Sequence, residues 1–400
     1  MPKGIPAFVE PSLLSWARES AGYTIEDIAK RFTKDPTEIR AWETPGSDQR
    51  PFMGQLRDLA NLYKRSLSDF YLPEPPQERP IPHDFRRSPG QVAGVYTPDL
   101  RKQLRFGRER QDLAKALSED LPEPFPSLKE KITSNTDPEK VGQLIRSILQ
   151  ISYSDQSKAG DGRSAYNLWR RNLEALGILI FQFEKVSSDE VWGFSIAERP
   201  FPVIAVNISL SPNARTFTVL HELVHILLGD NSICDIDDFT PRGTNELRIE
   251  AFCNHAAAAA LMPKGEFLGH PIVATRSTPA TDWDDDEISH IAKSFGTSRE
   301  AAVRRLLTFN RTTKEFYQLK RAQYQAQYLA QKKQSDDSSD APFARDYAQR
   351  AVSNLGQAFV GLILNSYHDK LITLADAAKY LDVRPHKVRK VQELTVRRQE

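Results

Sequence analysis

One helix constrains this chain more than any other part of its 400 residues. Phe217-Thr218-Val219-Leu220-His221-Glu222-Leu223-Val224-His225-Ile226-Leu227-Leu228-Gly229 is apolar on nearly every side and stops at a glycine. That pattern predicts a buried helix of about three to four turns. Yet it carries three polar side chains, which are costly to bury without partners. His221 and His225 stand at i and i+4, so their imidazoles share one face. That is the reach of two ligands on a single zinc ion at ~2.1 Å each. Glu222 projects from a neighbouring part of the helix, placed to take a proton from an attacking water rather than to ligate. The plain alternative is two core histidines and a solvated glutamate. With eight histidines in the chain, His-Glu-x-x-His arises by accident in about one chain in a hundred, so Zn2+ is the expected cofactor.

A catalytic zinc site needs a third protein donor and leaves a fourth position open. Glu250 is the candidate. It opens the run Glu250-Ala251-Phe252-Cys253-Asn254-His255-Ala256-Ala257-Ala258-Ala259-Ala260-Leu261-Met262, stopped by Pro263. The alanines let this helix come close to the first, so a glutamate near its start can point at the metal. Asn254, one turn on, is placed to hydrogen-bond the far ring nitrogen of a liganding histidine. Glu246 competes with Glu250 for the ligand role. His255 faces another way and reads as a packed or surface histidine, and Cys253 as a small hydrophobe.

Before these helices lie two strand-like runs, Ile178-Leu179-Ile180-Phe181 and Val203-Ile204-Ala205-Val206. The second ends at Asn207. An edge strand beside the metal would hold an extended substrate by main-chain pairing, which makes Val203, Ala205 and Asn207 candidate substrate contacts. The expected chemistry is peptide hydrolysis, with Glu222 moving the water's proton to the leaving nitrogen.

The first 75 residues read differently. Thr24, with Asp27 three residues on, opens one short helix, and Asp35-Pro36 opens another. Two such helices around a tight turn in a small bundle form a helix-turn-helix pattern. The stretches Ile28-Ala29-Lys30, Ile39-Arg40-Ala41-Trp42-Glu43 and Gln55-Leu56-Arg57-Asp58-Leu59-Ala60 resemble the phage-repressor-like helix-turn-helix family. Residues 1–75 hold ten Lys and Arg against eleven Asp and Glu. Phosphate contacts supply much of DNA affinity, so a near-neutral module suits a protein surface at least as well as DNA. Arg40 is the candidate DNA contact there.

Pro73, Pro75, Pro76, Pro80 and Pro82 begin a linker. Four regions follow: a helix-turn-helix domain at 1–75, a linker with a charged helix at 76–135, a metallopeptidase domain at 136–310 and a helical region at 311–400. Within the third, Asp284-Asp285-Asp286 lacks the spaced ligands and glycine of a calcium loop and reads as helix N-terminal charge. Residues 384–400 carry six Lys and Arg against two Glu; Lys387, Arg389 and Lys390 are therefore further candidate DNA contacts, against the simpler reading of a solvated helix face. The formal charge of the whole chain is +1, which speaks against a general polyanion-coating role. Two cysteines cannot build a disulfide framework. The start, MPKGIPAFVE, lacks a signal-peptide core, and no stretch reaches ~18 uninterrupted apolar residues. A cytoplasmic protein, with no membrane partner, is expected. The sequence sets no oligomeric state.

The run His221-Glu222-Leu223-Val224-His225-Ile226-Leu227-Leu228-Gly229, followed by the alanine-rich run to Pro263, resembles the ImmA/IrrE family of zinc metallo-endopeptidases. So do Leu176-Gly177-Ile178-Leu179-Ile180-Phe181, Val191-Trp192-Gly193-Phe194 and Pro202-Val203-Ile204-Ala205-Val206-Asn207. The resemblance covers about residues 160–310. It implies a glutamate thirteen residues before the closing proline, at Glu250. Ala256 stands where an aromatic is common, a packing position. The resemblance further implies an α+β, mainly helical chain with a zincin-like domain: a small sheet and a His-Glu-x-x-His helix. It also implies cleavage of a protein substrate, a transcriptional repressor often of the helix-turn-helix type, in stress response or mobile-element control. Two other readings stand beside it. One is a DNA-binding regulator with a non-catalytic metal site; the other is a toxin–antitoxin-type partner.

Overall fold

Short helices hold only where their ends are satisfied, and the N-terminal residues supply those ends. In the computed structural model, which describes residues 4–76, 83–84, 96–121, 125–229, 232–234, 245–337 and 346–396, helix Ile25–Phe32 starts with a reciprocal Thr24–Asp27 capping box. Thr33 then turns the chain in the left-handed region. Asp35 caps Pro36–Trp42 by accepting from the Thr37 backbone N–H. Helices Pro11–Ser20 and Met53–Tyr63 complete a bundle around Leu14, Ile28, Ile39, Trp42, Leu56 and Phe70. The Arg18 guanidinium grips Glu43 through both carboxylate oxygens at 2.8 Å and also donates to Tyr23 O, tying the first helix to the end of the third. This bundle belongs to one of two compact units, Met1–Ile81 with Gly90–Phe106.

The other unit is Pro82–Pro89 with Gly107–Glu400. Its sheet has five strands: β1 (His83–Asp84), β2 (Leu179–Phe183), β3 (Gly193–Ile196), β4 (Val203–Asn207) and β5 (Ser232–Cys234). Their spatial order is β1-β5-β3-β4-β2. β2 and β4 run parallel, with Leu179 beside Val203; β3 runs antiparallel to both β4 and β5. β2, β3 and β4 are buried throughout, as expected of strands covered on both faces.

The two faces are covered by different elements. Ile180, Ile204 and Val206 pack into the main core with the helix Pro212–Leu228. On the opposite face, Phe194 and Ile196 meet the helix Pro98–Glu119 at Gly107. Farther along that helix, Gln111 donates to the carbonyls of Glu198 and Phe201. The charged segment read from sequence as part of a linker is thus shared: its residues up to Phe106 go with the first unit, those from Gly107 with the second.

The C-terminal helices belong to this second unit as well. Tyr347–Leu355 lies against β2. Arg170 donates to Ser353 O and Ile180 O and pairs with Glu174, which accepts from the Gln357 backbone. The outer side of β2 is therefore occupied by the chain itself. The fold is α+β and mainly helical, with one small mixed sheet. No helix among the described residues is long and apolar enough to cross a membrane.

Candidate metal centre

The helix Pro212–Leu228 starts where proline fits, with Ser211 as cap, and ends at Gly229, whose φ of 85° suits only glycine well. From Thr218 to Leu227 every residue is buried. His221 and His225 project from one face, and their Nε2 atoms lie 3.1 Å apart. Glu250 reaches them from the helix Asn245–Leu261, with Oε2 at 3.3 Å from His221 Nε2 and Oε1 at 3.0 Å from His225 Nε2. Ligands ~2.0–2.1 Å from one tetrahedral ion sit ~3.3 Å from one another. The two imidazole nitrogens, 3.1 Å apart, each lie within 3.3 Å of one oxygen of the same carboxylate, a spacing that fits three side chains sharing one metal ion, and all three side chains are buried. Among the described residues these three form the one group of His, Cys, Asp and Glu close enough to share an ion.

Glu222 is fully buried and faces the sheet. A Cβ added at Gly193 would stand 3.7 Å from Glu222 Oε1, 2.6 Å from Thr218 and 2.9 Å from Ala205 O. Gly193 thus permits β3 to lie directly against the helix where Glu222 projects, a requirement that the sequence alone does not reveal.

The second helix is brought in by its small residues. Ala256, Ala257, Ala259 and Ala260 are buried. Their closest approach is to the helix Pro138–Ile148, where a Cβ on Gly142 would stand 2.6 Å from Ala259 Cβ and 2.7 Å from its backbone. Cys253 is buried against His225; burial pushes its thiol up, and the His225 ring opposes that shift. It lies outside the donor cluster.

His255 is also outside that cluster. Its Nε2 lies 2.9 Å from Glu139, which also takes the Arg305 fork. Burial alone would raise the Glu139 carboxyl, but hydrogen bonds from His255 and Arg305, with their charges, hold it down to about 2.

Asn254 is buried and lines a cavity of 370 Å3 that opens onto His221. Glu246, the rival third ligand, has a side chain outside the described residues.

Val203, Ala205 and Asn207 lie elsewhere than expected. β4 is hydrogen-bonded to β2 on one side and β3 on the other, so its main chain has no open edge for a substrate. Ala205 pairs with Phe194 on the sheet face away from the His221 helix. Asn207 is fully buried, donates to Val186 O and Val191 O, and accepts from Ser209, which makes it an organiser of the following turn. An apolar run reads alike whether its neighbours are one strand or two, which is why the edge assignment misled.

The DNA candidates fall in different units, Arg40 in the first and Lys387, Arg389 and Lys390 in the second. Arg40 is exposed on the helix Pro36–Trp42, 4.0 Å from Glu26. Arg389 lies 3.4 Å from Glu393, and Lys390 pairs with Asp346. Lys387 also acts on Asp346, which these cations hold below its ordinary value, the Lys390 hydrogen bond foremost.

Comparison with known proteins converges on the same region. Residues 173–307 match the Peptidase_M78 family model, described as an IrrE N-terminal-like domain. Over 64 residues the chain is 45% identical to the radiation response metalloprotease IrrE of Deinococcus radiodurans. That stretch is 16% of this chain and 20% of the relative, so the chain matches about a fifth of the curated relative's length. His221, Glu222, His225 and Glu250 all fall inside the matched family range. Both findings support the ImmA/IrrE family of metallopeptidases for residues 173–307.

Proposed function

We propose that this chain is a zinc-dependent endopeptidase whose metal ligands are His221, His225 and Glu250 and whose general base is Glu222. The observation that carries this reading is the convergence of two imidazole nitrogens, 3.1 Å apart, on one carboxylate whose two oxygens lie 3.3 and 3.0 Å from them, with Glu222 next in sequence to His221. A structural metal site has no need of such a carboxylate. A zinc ion held by these ligands would polarise the scissile carbonyl and ease deprotonation of the attacking water. Glu222 takes that proton and delivers it to the leaving nitrogen. Glu222 is fully buried beside Gly193 of β3.

The substrate of this reading is a protein, a transcriptional regulator of the helix-turn-helix type, and the setting is a cytoplasmic stress response. The name of the relative, a radiation response metalloprotease, supports that setting. The N-terminal pair of helices, Ile25–Phe32 and Pro36–Trp42, joined across Thr33 to Asp35, is proposed as a helix-turn-helix module. Its near-neutral charge favours a protein partner over DNA.

The test is Glu222→Gln. An amide of the same shape cannot accept the proton, so cleavage should fall by ~10^2–10^4-fold while metal content stays at the wild-type level. Wild-type cleavage by this variant would remove Glu222 from the mechanism.

A further inference from the structure

β3, β4 and β5, which pack on the His221 helix, each have a neighbouring strand on both sides. None of the three offers an open edge to pair with an extended peptide. Recognition of a substrate backbone beside them must come from side chains, and the 370 Å3 cavity that opens onto His221 is where such side chains would stand.

Several polar groups around that cavity are already engaged. Thr218 donates to Ala214 O and Asn213 to Thr297 O. His255 lies against Glu139, and Arg305 is held by Glu139 and Met262 O. Asn254 differs. It is only 4% exposed, yet among the described residues its side-chain amide makes no hydrogen bond, to a histidine ring or to any other group. Ala251, Asn254, Ala258 and Leu261 line the cavity at spacings that mark one helix face, which puts the Asn254 side chain in the wall. Buried polar groups are as a rule satisfied within the fold, so an idle amide in a cavity wall points to a partner that arrives from outside.

The chemistry of the amide names that partner. A carboxamide carries N–H donors and a carbonyl acceptor, the pair that a peptide bond itself presents, so one Asn can donate to a substrate C=O and accept from a substrate N–H. Asn254 follows Glu250 by one turn, ~6 Å along the helix, or about two residues of extended chain. We propose that Asn254 binds the main chain of the substrate within about two residues of the scissile bond, and that this contact gives affinity independent of the side chains around the cut. The inference rests on the peptidase reading above and deepens it.

The test uses the full-length, zinc-loaded protein and random-sequence peptides. Glu222→Gln, which binds without cutting, should retain peptides, and adding Asn254→Ala should lower retention roughly five- to thirtyfold, the weight of one or two neutral hydrogen bonds. The drop should be similar for peptides of unlike sequence. In the cleaving protein, Asn254→Ala should act on KM rather than kcat, with zinc content at the wild-type level. A measurement that leaves Asn254 in place uses esters: replacing one substrate amide within two residues of the cut by an ester should weaken retention by Glu222→Gln, and should cost nothing further once Asn254 is alanine. Retention that Asn254→Ala leaves intact, or no ester position that weakens it, overturns the proposal. So does a loss accompanied by at least tenfold weaker zinc binding, which would make Asn254 an orienting partner of a metal ligand; cleavage by the wild type in these cases leaves the peptidase reading standing. Asn254-dependent retention with no cleavage by the wild type upholds the contact and overturns the peptidase. Zinc-loaded protein that neither cuts nor retains peptides overturns both.

Discussion

Glu139, His255 and Arg305 illustrate how polar residues near the proposed zinc site are used to build its surroundings. Glu139 sits in the first turn of Pro138–Ile148, next to its cap Asp137. Arg305 comes from Arg299–Thr308 and also donates to Met262 O, at the end of the alanine-rich helix. One carboxylate therefore joins three helices. Because the folded-state value, about 2, lies below the ordinary 4.5, the contact contributes stability that is fully present above pH ~4.5 and is lost as pH falls toward 2. Glu139→Gln should be less stable than the wild type at neutral pH, with the gap closing between pH 4.5 and 2. Thermal melts across that range check this; a gap independent of pH would mean that packing, not ionisation, is what the carboxylate supplies.

At the scale of elements, the site is set by how closely helices approach. The alanine-rich helix can deliver Glu250 only if its other side is seated, and Gly142 provides that seat. Gly142→Val places a branched side chain against the Ala259 backbone. Overpacking of this kind costs ~1–3 kcal/mol, well beyond the helix-propensity gain of replacing glycine. The variant should melt lower by calorimetry; an unchanged or raised melting temperature would contradict the close packing described here.

The helix that carries His221 and His225 was legible in the sequence because its pattern is local: i, i+4 histidines in an apolar run and a glycine stop; its start at Pro212, before the run from Phe217, was not. That Glu250 lies beside the two histidines was legible because the alanine run announces a closely packed helix. The helix starts at Thr24 and Asp35 were legible because they too are local patterns. What depends on distant pairing was not. Nothing in Val203–Asn207 tells that strands flank it on both sides. Gly193 and Gly142 owe their roles to atoms more than ten residues away.

At the scale of the whole molecule, two units with separate cores share one polypeptide. The first is a near-neutral bundle of capped helices; the second carries every residue of the proposed chemistry. The basic C-terminal residues are partly neutralised by Asp346 and Glu393, so they offer a polyanion a weaker surface than their count suggests. The proposed chemistry converges on His221, Glu222, His225 and Glu250. Its most direct test is metal analysis of the purified full-length protein beside His221→Ala and Glu250→Gln, with circular dichroism to establish that each is folded. The account predicts close to one zinc per wild-type chain, and a loss of at least tenfold in affinity in each folded variant. Equal zinc in all three proteins, or none in the wild type after zinc-replete purification, would contradict it.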